Sequence, residues 1–360
     1  MQEATIQGVE LRRLALPLVV PYRLSYRTFE RFEPFLVRVV DARGRSGFGE
    51  GHVSPGSSKE TREGGWAFCL QHAARLPGAM PQAACEIVVH HAAASPVAAS
   101  SLCTALEMLQ GHRLLEVRQS ARLPILTPTD QTSPDAIQRE VEQRLAQGFR
   151  TFKIKVGKDV EADLARVRLF QDAVRGRAWL RLDANRAYDR EQGCRFASRL
   201  DPHDVQLFEQ PCASDDWDAN AAVARCSTVP LMLDEPICSI ADVERAASIP
   251  GVAFCKVKLK RFVSLSRLDE VLARIREVGL QAVLGDGLAC EPGCWMEACV
   301  ARARIDNAGE FNGFLKPRAR LFRVPLRFEA GCVVLTPGHP QLDPDALDAH
   351  TEERVLFGTP

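Results

Sequence analysis

The sequence predicts an α/β protein: a closed parallel barrel with an α+β module ahead of it. Three observations carry this. From Leu123 onward, short apolar runs alternate with helical segments. Five consecutive runs end in a charged residue: Lys155, Asp183, Glu209, Asp234 and Lys258. Those residues lie 24 to 28 positions apart, which suits one strand, one helix and two loops of an eight-unit barrel of ~250 residues. Active sites of that fold lie at the C-terminal ends of the strands, so charge placed there reads as chemistry.

The elements follow in order. Residues 9–17 and 34–41 read as strands, with turn chemistry at Ala42-Arg-Gly-Arg-Ser-Gly. Residues 21–26 fall in the connection between these strands. Segments 58–74 and 95–110 show helical spacing of small and apolar residues. Residues 1–120 are therefore expected to form an α+β capping domain. Residues 124–128 then read as a strand, and Ser133-Pro134 starts a helix that Gly148 ends. Further helices are expected at 159–174, 189–200, 215–224, Ile240–Ala247, 265–278 and 292–304. About seven helices and eight strands favour a closed barrel over residues 121–320. Residues 321–328 and 331–336 read as a hairpin, and the 321–360 segment is expected to return to the capping domain.

Composition narrows the function. Lys+Arg and Asp+Glu are both 46, so there is no basic excess to reward nucleic acid or a membrane surface. No apolar run is long enough to span a bilayer, and Met1-Gln-Glu-Ala-Thr lacks a secretory pattern. A cytoplasmic protein, and a homo-oligomer, is expected. The 12 cysteines form no C-x-x-C pair and read as free thiols in a reducing compartment.

Three carboxylates converging at one barrel mouth would repel each other without a hard cation between them, and Mg²⁺ suits such oxygen donors. A single acid would read as a helix N-cap or a solvated loop residue. Three at successive strand ends read as ligands: Asp183, Glu209 and Asp234. Lysines of the second and sixth strands lie four strands apart, hence on opposite sides of an eight-stranded mouth. Lys256, Lys258 and Lys260 share one side of the sixth run at period two, so its register is open. By the same alternation Glu235 faces away from the ligands.

The K-x-K at Lys153 and Lys155, the D-x-N at Asp183 and Asn185, Glu209-Gln-Pro, Asp234-Glu-Pro and the sixth-strand lysine occur in this order. Gly47-Phe-Gly-Glu50 and Leu342-Asp-Pro-Asp flank them. This arrangement resembles the enolase superfamily, muconate-lactonizing-enzyme subgroup. The resemblance implies a (β/α)7β modified TIM barrel capped by an α+β domain that is built from the N-terminal segment and C-terminal tail. It implies Mg²⁺, with Mn²⁺ as a substitute, on Asp183, Glu209 and Asp234, and Lys155 and Lys258 as bases beside Lys153. The shared step is removal of the proton α to a carboxylate, giving an enediolate. Here Phe262-Val263 replaces the common Gly-Gly.

Substrate contacts are expected from Arg23 and Tyr26 on the connection folded over the mouth, from Asn185 beside Asp183, and from Asp286 and Glu310. Arg23 would pair with a distal carboxylate or acyl oxygen, and Asp286 would orient Lys258 or meet substrate. Dipeptide epimerases of the family carry D-x-D where this chain has Glu310-Phe-Asn312, so a free α-amino substrate is disfavoured. The expected partner is a small-molecule carboxylate. The expected reaction is racemization or epimerization of an N-acyl amino acid or dipeptide. An o-succinylbenzoate-synthase-type lyase or a muconate-type cycloisomerase uses the same five residues, and an inert ligand-binding barrel is the reading from another class.

Overall fold

The computed structural model describes residues 4–23, 28–54 and 59–359. Seven parallel strands lie side by side in chain order: Thr127–Thr129, Thr151–Lys155, Trp179–Asp183, Val205–Glu209, Leu231–Leu233, Val252–Val257 and Gln281–Leu284. The eighth position is reduced to Gly309 and Glu310. Gly309 bridges Ile125 in parallel, Leu126 N–H donates to Gly309 O, and Glu310 N–H donates to Leu284 O at 2.7 Å. These bonds join the seventh strand back to the first and close the barrel. The fold is the capped TIM-type barrel that the sequence predicts.

Helices cover the barrel's outside, and side-chain caps fix where several begin. Asp159 accepts from Ala162 N, Ser264 accepts from Arg267 N, and Asp189 forms a capping box with Gln192. A fixed helix start keeps each strand-end residue in one place. Inside the barrel, Leu207, Met232, Phe254 and Val283 form a compact apolar cluster. Buried Arg181, level with Leu207 on the neighbouring strand, donates to Ala308 O, Gln206 and Asn307.

In the capping region, Ile6–Leu14 pairs with Phe35–Asp41, which pairs with Ser46–Gly51. Thr351–Gly358 adds to the far side of the first strand. The helix Pro96–Leu109 lies directly on Ser46–Gly51, and the alternate glycines of that strand allow it. A Cβ at Gly49 would stand 2.0 Å from Ser101 O, so no side chain fits there.

Several elements differ from expectation. Segment 124–128 divides: Ala121–Pro124 pairs antiparallel with Cys332–Leu335 outside the barrel, and only Thr127–Thr129 joins it. Strand structure in 321–328 is confined to the end, within Arg327–Glu329. An additional helix, Pro81–His91, contains Ile87-Val88-Val89, a β-branched run that suggests a strand; it is helical because Ala84 and Val88 are buried in the capping core. Pro21, Tyr22 and Arg23 belong to a strand, Leu16–Arg23, paired with Thr28–Phe32. Val19 N–H to Lys316 O and Arg318 N–H to Pro17 O, both 2.9 Å, fasten this strand to the barrel. Among the described residues no helix is long and apolar enough to cross a membrane.

Candidate active site

The strand ends converge on one cavity of about 150 Å³, lined by Lys153, Lys155, Asp183, Asn185, Asp234, Lys258, Asp286 and Glu310, among others. Glu209 lies buried against it. Each acid sits one pleat beyond an interior residue, so strand alternation aims it inward. Local contacts hold the strand ends. Asp234 N–H donates to Gln210 Oε1 at 2.8 Å, and Gln210 Nε2 donates to Cys212 O at 3.0 Å. The Gln of Glu209-Gln-Pro thus ties the fourth strand's end to the fifth. After Lys155 the chain turns at Gly157, whose φ is +111° and whose Cβ position is 2.6 Å from Ala187 Cβ; glycine alone is comfortable there. Asp163 accepts from Gly157 N and from the Tyr188 hydroxyl, both at 2.8 Å, and pins that turn.

The acids carry cationic partners. Lys153 Nζ lies 2.9 Å from Asp183 Oδ2, 2.8 Å from Glu209 Oε2 and 3.0 Å from Glu310 Oε2. Lys155 Nζ reaches Asp183 at 2.5 Å and also contacts Asn185. Lys258 Nζ lies 2.9 Å from Asp234 Oδ2, and Arg261 Nη2 2.7 Å from Asp234 Oδ1. Burial works against charge on Asp234, but Lys258 and Arg261 outweigh it and hold the carboxyl far below its usual range. Lys258 is raised: burial disfavours its ammonium, and Asp234 more than compensates. Glu310 stays well below normal despite burial because Lys153 and Lys256 flank it. Burial pushes Glu235 up to about 7, with Asp234's charge adding to it.

A family model described as "Enolase C-terminal domain-like" matches residues 136–340. The chain belongs to this family. It is an enzyme of the enolase superfamily, similar to the muconate-lactonizing branch. The o-succinylbenzoate synthase of Geobacillus kaustophilus is 30% identical over 280 residues, 71% of this chain and 70% of that protein. The L-Ala-D/L-Glu epimerase of Bacillus subtilis (strain 168) is 25% identical over 353 residues, 93% of this chain and 95% of its own. A dipeptide epimerase from Cytophaga hutchinsonii, complexed with Mg and D-Ala-L-Val, superposes with a TM-score of 0.86 at 20% identity, covering 98% of this chain and 100% of that one.

The strand ends offer oxygen donors of the kind a hard cation takes. Asp183, Glu209 and Asp234 end adjacent strands, each at most 4% exposed, and supply only hard oxygens. Glu209 Oε2 is buried and faces the Lys153 ammonium at 2.8 Å without a hydrogen bond of proper geometry. No group of three or more acids, His or Cys stands converged as a metal site among the described residues, because ammonium groups sit between the carboxylates. The residues fit Mg²⁺ in donor chemistry and in the positive charge that they hold between them.

Several expectations need correction. Arg23 is exposed, and among the described residues the cavity is lined by its neighbour Tyr22 instead, since successive strand residues point to opposite faces. Tyr26 lies outside the described residues. Asp286 pairs with Lys260, not Lys258. Glu235 lines the cavity with Arg186 at 3.0 Å; alternation fails as a guide because the strand ends at Leu233. Lys256, Lys258 and Lys260 all line the cavity although the strand stops at Val257 and Lys260 rides on the helical turn Leu259–Phe262.

The sequence reading missed Arg261, for which the dense Lys-Leu-Lys-Arg run was the available signal. It also missed Glu60, Pro96 and Val97, which the capping region contributes to the cavity wall; only the fold brings them there. Lys316 Nζ sits 4.1 Å from the Tyr22 ring centroid and fixes that side chain from below. Burial brings Lys316 down to about 8.

Proposed function

We propose that this enzyme is a Mg²⁺-dependent racemase or epimerase that removes the proton α to a carboxylate, with an N-acyl amino acid or dipeptide-like substrate. The observation that carries the reading is the pair of ammonium groups on strands two and six. Lys155 is anchored on Asp183 and Lys258 on Asp234, and both line one cavity. A carbon acid held between them meets a proton-transfer group on either face, as inversion requires. When bound to Asp183, Glu209 and Asp234, Mg²⁺ would supply Lewis-acid stabilisation of the charge developing on the substrate carboxylate. Asn185 holds Lys155 in place, Arg261 holds the Asp234 carboxylate, and Tyr22 with the capping wall shields the site from water.

The test is α-proton exchange in D₂O across N-acyl amino acids and dipeptides of both configurations. Lys155→Ala is expected to stop exchange from one enantiomer and Lys258→Ala from the other. Equal loss for both enantiomers in both variants would reduce the reading to one-base chemistry. The 30% identity to an o-succinylbenzoate synthase favours a second reading, a lyase on the same residues. Dehydration of the succinylbenzoate precursor with no exchange of acyl amino acids would select it.

A further inference from the structure

We infer that Lys256 is a built-in cation that sets substrate charge, by occupying Glu310, an acid of the inner cavity wall that could otherwise receive a positively charged substrate group. The inference rests on the reading above and names the substrate class more narrowly. Glu310 ends the closing segment of the barrel and lines the cavity. Its Oε2 is bound by Lys256 and lies 3.0 Å from Lys153, which also reaches Oε1 at 3.3 Å. Lys153 is shared with Asp183 and Glu209, so it cannot neutralise Glu310 alone. Lys256 is 1% exposed and has Glu310 as its ion-pair partner among the described residues. Lys256 is therefore the ammonium committed to Glu310, and Mg²⁺ on Asp183, Glu209 and Asp234 would not replace it. Removing Lys256 leaves one uncompensated negative charge at the inner wall.

The other acids of the wall are also engaged: Glu60, from the capping region, accepts from Ser95 Oγ at 2.9 Å and Val97 N–H at 2.7 Å. Lys260 holds Asp286, Arg186 holds Glu235, and Lys258 with Arg261 holds Asp234. The inner wall thus offers a substrate no spare anion. A free ammonium entering here would displace Lys256 or remain unpaired, and an unpaired buried charge is strongly disfavoured. A substrate whose nitrogen is acylated meets no such penalty. The class favoured is the neutral, N-acylated amino acid.

The experiment compares two probes that differ at the amino terminus, Ala-Leu with a free ammonium and N-acetyl-Ala-Leu with a neutral amide. Calorimetric titration of the Mg²⁺-supplied protein gives the ratio of their affinities, and deuterium exchange of the same probes is read in parallel. Wild type is expected to favour the acetylated probe by tenfold or more. Lys256→Met, close in length and without charge, is expected to move the ratio at least tenfold toward the free amine. The double variant Lys256→Met with Glu310→Gln, in which neither charge is left buried alone, is expected to return it to near the wild-type value. A ratio within twofold of wild type in folded Lys256→Met, or a wild-type preference for the free amine, overturns the inference. If Lys256→Met does not fold, Lys256→Gln, which removes the charge and keeps a hydrogen-bond donor toward Glu310, is read by the same criteria. Absence of exchange in wild type with intact binding selectivity would count against the proposed reaction and leave this inference standing.

Discussion

Two layers of the same barrel, one pleat apart, have opposite characters. Leu207, Met232, Phe254 and Val283 form a sealed apolar cluster. Two residues further along the same strands stand Glu209, Asp234, Lys256 and Gly285, three of them buried charges and one a glycine. Side chains two apart on a strand share a face and are separated by about 6.6 Å. Within that distance the barrel changes from material that holds the strands together to material that performs chemistry. Function is therefore expected to separate by layer, while both layers carry stability.

The sharpest test of that separation is Asp234→Asn against its neighbour below. Asp234→Asn is expected to reduce α-proton exchange by at least about 10³-fold, the scale of removing one preorganised electrostatic group. It should also weaken Mg²⁺ binding in calorimetry. Lys258 and Arg261 would lose their counter-ion, so a stability loss of about 3 kcal/mol should accompany it in denaturant titration. Full exchange activity in EDTA-treated protein without added metal would contradict the metal assignment. Met232→Ala, one pleat lower and fully buried, is expected to cost about 3 kcal/mol through its cavity. Its exchange rate per folded molecule and its Mg²⁺ affinity should stay near wild type; a large fall in either would erase the division between layers.

The joint between the cap and the mouth is sensitive to pH. His52 Nδ1 donates to Leu288 O at 2.9 Å, and Nε2 accepts from Glu33 N–H at 3.2 Å. Both nitrogens are satisfied only in the neutral ring. Burial lowers His52 from 6.5 to about 4, so the unfolded chain binds the proton more readily than the folded one. The stabilisation is complete above 6.5 and is lost as pH falls toward 4, by about 3 kcal/mol. His52→Gln, which can donate and accept without titrating, should flatten the acid limb of the stability profile. An unchanged slope between pH 6.5 and 4 would remove His52 from the account.

The smallest effect concerns the departure from Gly-Gly. Val263 has φ +71° at the end of the turn that carries Lys260 and Arg261. Its side chain packs in the capping core. Alanine there loses packing and keeps the backbone strain, whereas glycine relieves the strain. Val263→Gly is therefore expected to be at least as stable as Val263→Ala, within about 1 kcal/mol, against the usual order in which glycine is the weaker. Thermal denaturation of the two variants checks the order.

What the chain's order disclosed follows the same physical division. Lys155, Asp183, Glu209, Asp234 and Lys258 were legible because strand–helix units space them evenly and each ends its own run. The residues that choose among substrates were not. Glu60, Pro96 and Val97 reach the cavity through helix packing on the glycine strand, a contact between segments distant in sequence. The partners of Glu310 and Asp286 could not be told from alternation, because Lys256, Lys258 and Lys260 all satisfy it until the strand's end is known. Arg23 does not meet the cavity because Leu16–Arg23 is a strand, not a loop, and strand alternation turns its neighbour Tyr22 inward.

The last pairing of the cap has a consequence for how the protein is made. Ile6–Leu14 accepts Thr351–Gly358 along one edge, so this strand gains its partner only about 340 residues of synthesis later. At typical rates of elongation the interval is on the order of half a minute. Throughout it one edge of the first strand stands open, and an open strand edge invites pairing with other chains. That strand carries Glu10 and Arg12, held to each other at 2.7 Å and later joined by Arg354 and Asp348. Charge on a waiting edge discourages promiscuous partners and is matched when the right one arrives, so Glu10 and Arg12 guard the nascent chain and, with Arg354 and Asp348, later lock its closure.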